Sequence, residues 1–199
     1  MKLEVDPHIL HVNELTSTLD GNEIIENIYR AADIISTHFV HQKMGGGSLF
    51  VAGNGGSAAI ADHLVCDYAK GIEEKSKYKP RVFSLSSNQS LITAIANDVD
   101  FSKIFVNQIV GRVSQEDLFV LISSSGTSKN IVSLCEYLNK TKITYISIFG
   151  FNSELQVNNN ATVKIHINSS DYGVIEDASQ IIMHTMQKII IKRLHFENI

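Results

Sequence analysis

This 199-residue chain predicts an α/β architecture: a doubly wound, five-stranded parallel sheet preceded by a helical hairpin and closed by a long helix. Three observations carry that expectation. Apolar runs too short for helices, at 49–52, 82–85, 118–122, 143–149 and 162–167, alternate with stretches of helical periodicity, and strands alternating with helices build parallel sheets covered on both faces. Glycine- and serine-rich turns directly follow the first and third runs, where a doubly wound sheet binds its ligands. The final stretch, from about Val174 to Phe196, is apolar almost all round, so it is buried on several sides and, in a chain this small, implies subunit association.

The elements follow in order. Residues 8 to 44 carry helical periodicity twice, with Ile9, Val12, Leu15 and Leu19 in the first helix and Ile24, Ile28, Ala31, Ala32, Ile35 and Phe39 in the second; Asp20-Gly21-Asn22 supplies the break and the next cap. One domain is expected, with a hairpin over 1–46 and an α/β sandwich over 47–199. Gly45-Gly46-Gly47 ends the hairpin. The first strand then runs into Gly53-Asn54-Gly55-Gly56-Ser57, and a helix follows over Ala58 to Lys70. Glu73 to Lys79 is charged and reads as solvated, and Pro80 marks the next strand start. Leu91 to Ala96 forms a short helix, after which Asp98 either faces the site or caps a helix beginning near Phe101. The third strand runs into Ser123-Ser124-Ser125-Gly126-Thr127-Ser128, ahead of a helix with Ile131, Leu134, Cys135 and Leu138 on one face. Residues 152–160 read as a helix fragment and surface turn.

The two turns suit an anion. Glycines let the backbone approach a ligand closely, and the free N–H groups at a new helix start favour negative charge. Gly53 to Ser57 matches neither the dinucleotide pattern nor a P-loop, since no Gly-Lys-Ser/Thr follows. The second turn offers more hydroxyls than a helix cap needs, so it can surround a phosphate without a cation. In a flavodoxin-like strand order the first and third strands are neighbours at the switch point, which lets both turns share one anion.

Bulk properties exclude several classes. A net charge of −4 with no basic cluster argues against a nucleic-acid ligand. No apolar run approaches the roughly 18 residues that a membrane span requires, and no secretory signal is visible, so a cytoplasmic protein is expected. Cys66 and Cys135 lack metal-ligand spacing and read as free thiols. His8, His11, His38 and His41 have no carboxylate or cysteine at useful spacing and read as helix-face residues.

Chemistry-bearing residues lie on the two helices flanking the first turn and closing the chain. His63 and Asp67 are four apart and share a face; Glu176 and His184 are eight apart on one side of the last helix, with Gln180 between them. Polar groups in so apolar a helix cost free energy unless partners satisfy them. Two imidazoles and two carboxylates suit a divalent metal. They equally suit general acid/base work at carbon and oxygen.

Taken together, Gly53 to Ser57, His63-x-x-x-Asp67, Ala96-Asn97-Asp98, Ser123 to Ser128 and the last helix with Glu176 and His184 resemble the sugar isomerase (SIS) domain family over nearly the whole chain. The resemblance implies a homotetramer that binds a phosphosugar, in particular one that isomerises sedoheptulose 7-phosphate to D-glycero-D-manno-heptose 7-phosphate for surface-polysaccharide precursors. Position by position, it assigns Ser57, Ser123, Ser124, Ser125 and Ser128 to the phosphate and Gly55 and Gly56 to the same substrate-binding turn. Asn54, Asp98 and Glu176 would contact substrate. Asp67 takes the place of the usual glutamate base, and His184 that of the acid/base histidine. His63, Asp67, Glu176 and His184 would hold zinc or a similar divalent ion, as in some members.

Two departures matter. Asp67 is one methylene shorter than the usual glutamate, and a misplacement of about 1 Å can cost roughly a hundredfold in rate. Either the backbone or a metal compensates, or the chain handles another phosphosugar. Glu176 stands where a glutamine is usual, and clustered carboxylates resist joint ionisation unless a cation intervenes. The family also contains non-catalytic relatives, one of them a regulator that associates with the replication initiator. Retention of His63, a carboxylate at 67 and His184 favours the enzyme over that alternative.

Overall fold

The computed structural model describes residues 6–151 and 160–196. The surface turn expected over 152–160 lies, but for its last residue, outside them. Helices α1 (Pro7–Leu19) and α2 (Asn22–Lys43) form the expected hairpin. The Asp6 side chain caps α1 at the His8 N–H, with Pro7 in the first turn where no N–H is missed. At α2 the N-cap is Gly21, so neither neighbouring polar side chain does that work.

Five strands follow, β1 (Leu49–Ala52), β2 (Val82–Ser84), β3 (Leu118–Ser123), β4 (Thr144–Phe149) and β5 (Val163–His166), all parallel in the order β2-β1-β3-β4-β5. Helix α3 (Gly56–Cys66) follows β1, α4 (Ile72–Ser76) follows it, α5 (Gln89–Asp98) and the short α6 (Val106–Ile109) lie between β2 and β3, and α7 (Lys129–Thr141) links β3 to β4. The chain closes with α8 (Tyr172–Phe196).

Strand side chains alternate between two cores, as a pleated backbone requires. Leu49, Val51, Leu118, Val120 and Ile122 face a layer built from α2, α3, α4 and α8. Ala52, Phe119 and Leu121 face α5, α6 and α7, with Phe50 packed against them and its ring stacked on Phe119 at 5.1 Å. Helix α8 packs on α1, α2, α3 and α4, and Ile175, Ala178, Ile182, Met186, Ile190 and Leu194 are buried along it.

Three expectations change. The helix expected over 58–70 does not run on as an α-helix: Asp67–Gly71 winds into a π-helical turn before α4. The charged segment after it is not wholly solvated, because Ile72, Ser76 and Tyr78 are buried beneath it. Asp98 caps nothing at Phe101: Asp100 does, accepting the Ser102 N–H at 2.7 Å, because Asp98 is still the last residue of α5.

Candidate active site

The two ligand turns meet as expected. β1 and β3 are neighbours, so α3 and α7 both begin at the same sheet end and aim their N-termini at one point. Gly55 (φ +54°) and Gly126 (φ +65°) sit in the left-handed region that a side chain disfavours. Between the turns lies a pocket of about 220 Å³ lined by Asn54, Gly55, Gly56, Ser57, the serines at 123, 124, 125 and 128, Tyr172 and Glu176. None of these is basic, so any anion here is held by hydroxyls, backbone N–H groups and helix dipoles.

The turns are braced by Asn54 together with two residues that the sequence did not single out, Asn130 and Ser86. Asn54 and Asn130 exchange amide hydrogen bonds at 2.9 and 2.8 Å, and the Asn130 oxygen also accepts the Ile131 N–H. Asn130 is fully buried, which ties the glycine turn to the serine turn. The Ser86 hydroxyl donates to the Gly53 carbonyl at 2.8 Å and accepts the Gly53 N–H at 3.1 Å. Ser128 makes no capping bond to α7, leaving its hydroxyl for the pocket. A signal for Tyr172 was present: it lies four residues before Glu176 and so shares its helix face.

The acid/base groups assemble along α3 and α8. His184 Nε2 lies 3.2 Å from Asp67 Oδ2, and His63 Nε2 lies 3.5 Å from Asp67 Oδ1. The two imidazoles meet edge-on with centroids 5.2 Å apart. Ligand atoms of His63, Asp67 and His184 all fall within 4.8 Å of one another. That donor set of two imidazole nitrogens and one carboxylate suits a divalent ion of the zinc type. Gln187 donates to the Asp67 carbonyl at 2.7 Å and holds the π-helical turn in place. Behind it Tyr68 is fully buried, and burial, with the Asp67 charge adding to it, raises its phenol well above the usual range, so it stays protonated. Burial likewise pushes the Cys135 thiol up to about 12, which removes it as a nucleophile.

Glu176 lines the pocket but falls outside the metal group that the resemblance implied, and Asp98 falls outside the pocket. Glu176 is not in the His63–Asp67–His184 group. Its carboxylate rests on Gly56, where an added Cβ would lie 2.2 Å from either oxygen. The reason is helix geometry: eight residues rise about 12 Å, so positions 176 and 184 meet opposite ends of α3. Asp98 is exposed, accepts a hydrogen bond from Asn97 at 2.7 Å, and does not line the pocket.

A model of the SIS domain matches residues 11–150, and the chain belongs to that family. Phosphoheptose isomerase of Leptospira biflexa serovar Patoc is 32% identical over 175 residues, covering 86% of each chain. Among solved structures, a phosphoheptose isomerase from Francisella tularensis is similar at a TM-score of 0.79 and 25% identity, over 93% of this chain and 94% of that one. The phosphoheptose isomerase of Neisseria gonorrhoeae has the same fold, with a TM-score of 0.73 at 23% identity over 92% and 91% of the two chains.

Proposed function

We propose that the protein is an aldose–ketose isomerase that converts sedoheptulose 7-phosphate to D-glycero-D-manno-heptose 7-phosphate through an enediol, supplying heptose for surface polysaccharide. The observation that carries this reading is the pairing of Asp67, at the end of α3, with His184 on α8, two helices whose N-terminal ends frame a hydroxyl-lined pocket. The names of relatives covering most of the chain support the substrate.

The phosphate sits among Ser57, Ser123, Ser124, Ser125 and Ser128, with Gly55 and Gly56 giving the backbone room to approach. Asn54 and Glu176 contact the sugar, and Asp98 joins them only if another protomer or a loop movement brings it in. Helical side chains lean toward the N-terminus, so His184 reaches back toward the pocket, and an extended open-chain sugar phosphate can bridge the remaining span.

Asp67 removes a proton from C1, next to the C2 carbonyl, and the electrons move toward O2, which takes a proton. The enediol then loses the O1 proton as C2 is protonated, so that atoms and electrons balance without a co-reactant. His184 carries protons between the oxygens or to the neighbouring carbon. His63, Asp67 and His184 hold zinc or a similar divalent ion, which when bound supplies a Lewis acid for the carbonyl and hydroxyl. While His184 binds metal it does not carry a proton, so the two roles alternate.

We place the enzyme in the cytoplasm as a homotetramer. Two free cysteines and the lack, among the described residues, of a helix long and apolar enough to cross a membrane support the first. Apolar side chains left outside on α2 and α8, among them Ile25, Tyr29 and Ile181, support the second.

The test is incubation of purified protein with sedoheptulose 7-phosphate, with and without chelator, read by product NMR. Formation of the heptose 7-phosphate is expected, with turnover lowered by chelator. Chelator-insensitive turnover would remove the metal and keep the isomerase. Turnover only with another phosphosugar would redirect the substrate, and no turnover at all would favour a non-catalytic SIS protein.

A further inference from the structure

The polar stripe of α8 places Glu176, Gln180 and His184 one turn apart on a single face. Glu176 is taken by the pocket at Gly56. Gln180 is not: its amide nitrogen lies 3.1 Å from His63 Nδ1 and 3.1 Å from His184 Nε2. His184 Nε2 in turn lies 3.2 Å from Asp67 Oδ2. Gln180 and Asp67 therefore each lie against both imidazoles, the amide meeting His63 at Nδ1 and the carboxylate meeting the same ring at Nε2, 3.5 Å away.

These separations carry chemical information. Zinc bonds to nitrogen and oxygen of about 2.0–2.1 Å place neighbouring tetrahedral donors roughly 3.3 Å apart, close to the contacts of 3.1, 3.1, 3.2 and 3.5 Å in this cluster. An amide's nitrogen and oxygen exchange places by rotation about its last torsion and are assigned from their surroundings. Turning it presents the oxygen to His184 Nε2 and to His63 Nδ1, the ring nitrogen that an ion shared with the amide would use. A neutral amide also differs from a carboxylate in effect. It leaves the ion's positive charge less compensated than a second carboxylate would, and as a weak donor it yields to a substrate oxygen.

We infer that Gln180, and not Glu176, supplies the fourth side-chain donor to a divalent ion held by His63, Asp67 and His184, and positions both imidazoles when the ion is absent. Glu176 is thereby freed to accept hydroxyl protons of the sugar. This rests on the metal reading of the site given above, and it assigns one carboxamide turn by turn.

Zinc affinity measured by competition with a chromophoric chelator tests it without reference to turnover, alongside the visible spectrum of the cobalt-loaded protein. Gln180→Leu is expected to weaken zinc binding by about ten- to a hundredfold and to shift the cobalt bands. Gln180→Glu, which keeps an oxygen donor, is expected to bind at least as tightly as the parent, and Glu176→Gln to leave affinity within about twofold. Parent-like affinity in a folded Gln180→Leu protein, or a matching loss in Glu176→Gln, would overturn the assignment. Should the leucine variant not fold, weaker binding by Gln180→Glu than by the parent would overturn it as well. No zinc binding by the parent would overturn the metal reading and this inference together, while leaving the isomerase to its own product assay.

Discussion

At the scale of single residues, Asp67 is the side chain on which most converges: two imidazoles on its carboxylate and Gln187 on its carbonyl. A second residue, on the far side of the molecule, gives a separate test. Burial lowers the His38 pKa from 6.5 to about 4, outweighing a hydrogen bond to the Ser48 backbone and the Asp117 charge, while His41 and Arg81 act with burial. The unfolded chain therefore binds a proton that the folded chain refuses between those two values. Stability from His38 is fully present above about pH 6.5 and is lost as pH falls through about 4. Melting temperature should fall over that window, and His38→Asn should flatten the fall; an identical pH profile in the variant would show that other groups are responsible. Of the site residues, the serines, Asp67 and His184 were legible because their types and spacing announce chemistry. Asn130 was not, since a buried asparagine in a helix's first turn looks like a cap until its partner across the pocket is seen.

Elements explain why the expected helix over 58–70 changed. The sequence pattern over 58–70 is helical throughout, and nothing in side-chain periodicity tells i+4 from i+5 bonding within a single turn. The π-helical turn at Asp67–Gly71 became visible only with the backbone, and such turns are frequent at functional sites. It sits where a shortened acid needs the main chain to compensate. The cross-pocket amide pair is the other joint between elements. Asn130→Ala would leave Asn54 and the Ile131 N–H without their partner, at a cost of about 1–3 kcal/mol for the buried groups. Calorimetry should show melting lowered by several degrees, and an unchanged melting point would mean that the two turns hold without it. Gly56→Ala should keep the fold but displace the Glu176 carboxylate, raising KM for the sugar phosphate more than it lowers kcat; an unchanged KM would take Glu176 out of substrate binding.

At the scale of the whole molecule, sheet order and layer composition were readable in advance because a parallel sheet imposes them: short runs buried on both faces, helices between, and ligand turns at one end. Surface exposure was not readable. Ile9 and Val12 share a periodic stripe with Leu15 and Leu19, yet Ile9 is 50% exposed and Val12 42% in the single chain, while the other two pack against the core. Periodicity marks an apolar face but not what covers it. Leu19, Ile25, Ile28, Tyr29, Ile181, Ile182 and Thr185 line an apolar groove between α1, α2 and α8. Tyr29→Asp combined with Ile181→Asp should shift the light-scattering mass from that of the proposed tetramer to smaller species; an unchanged mass would place the interface elsewhere.

The central claim is that Asp67 and His184 act together on a sugar whose phosphate the serine turn holds. Turnover of sedoheptulose 7-phosphate by the parent, Asp67→Asn and His184→Ala proteins, each first shown to melt cooperatively, tests it most directly. The expected result is product from the parent and a loss of about 10²–10⁴-fold in each variant. Near-parental turnover in either variant would contradict the account.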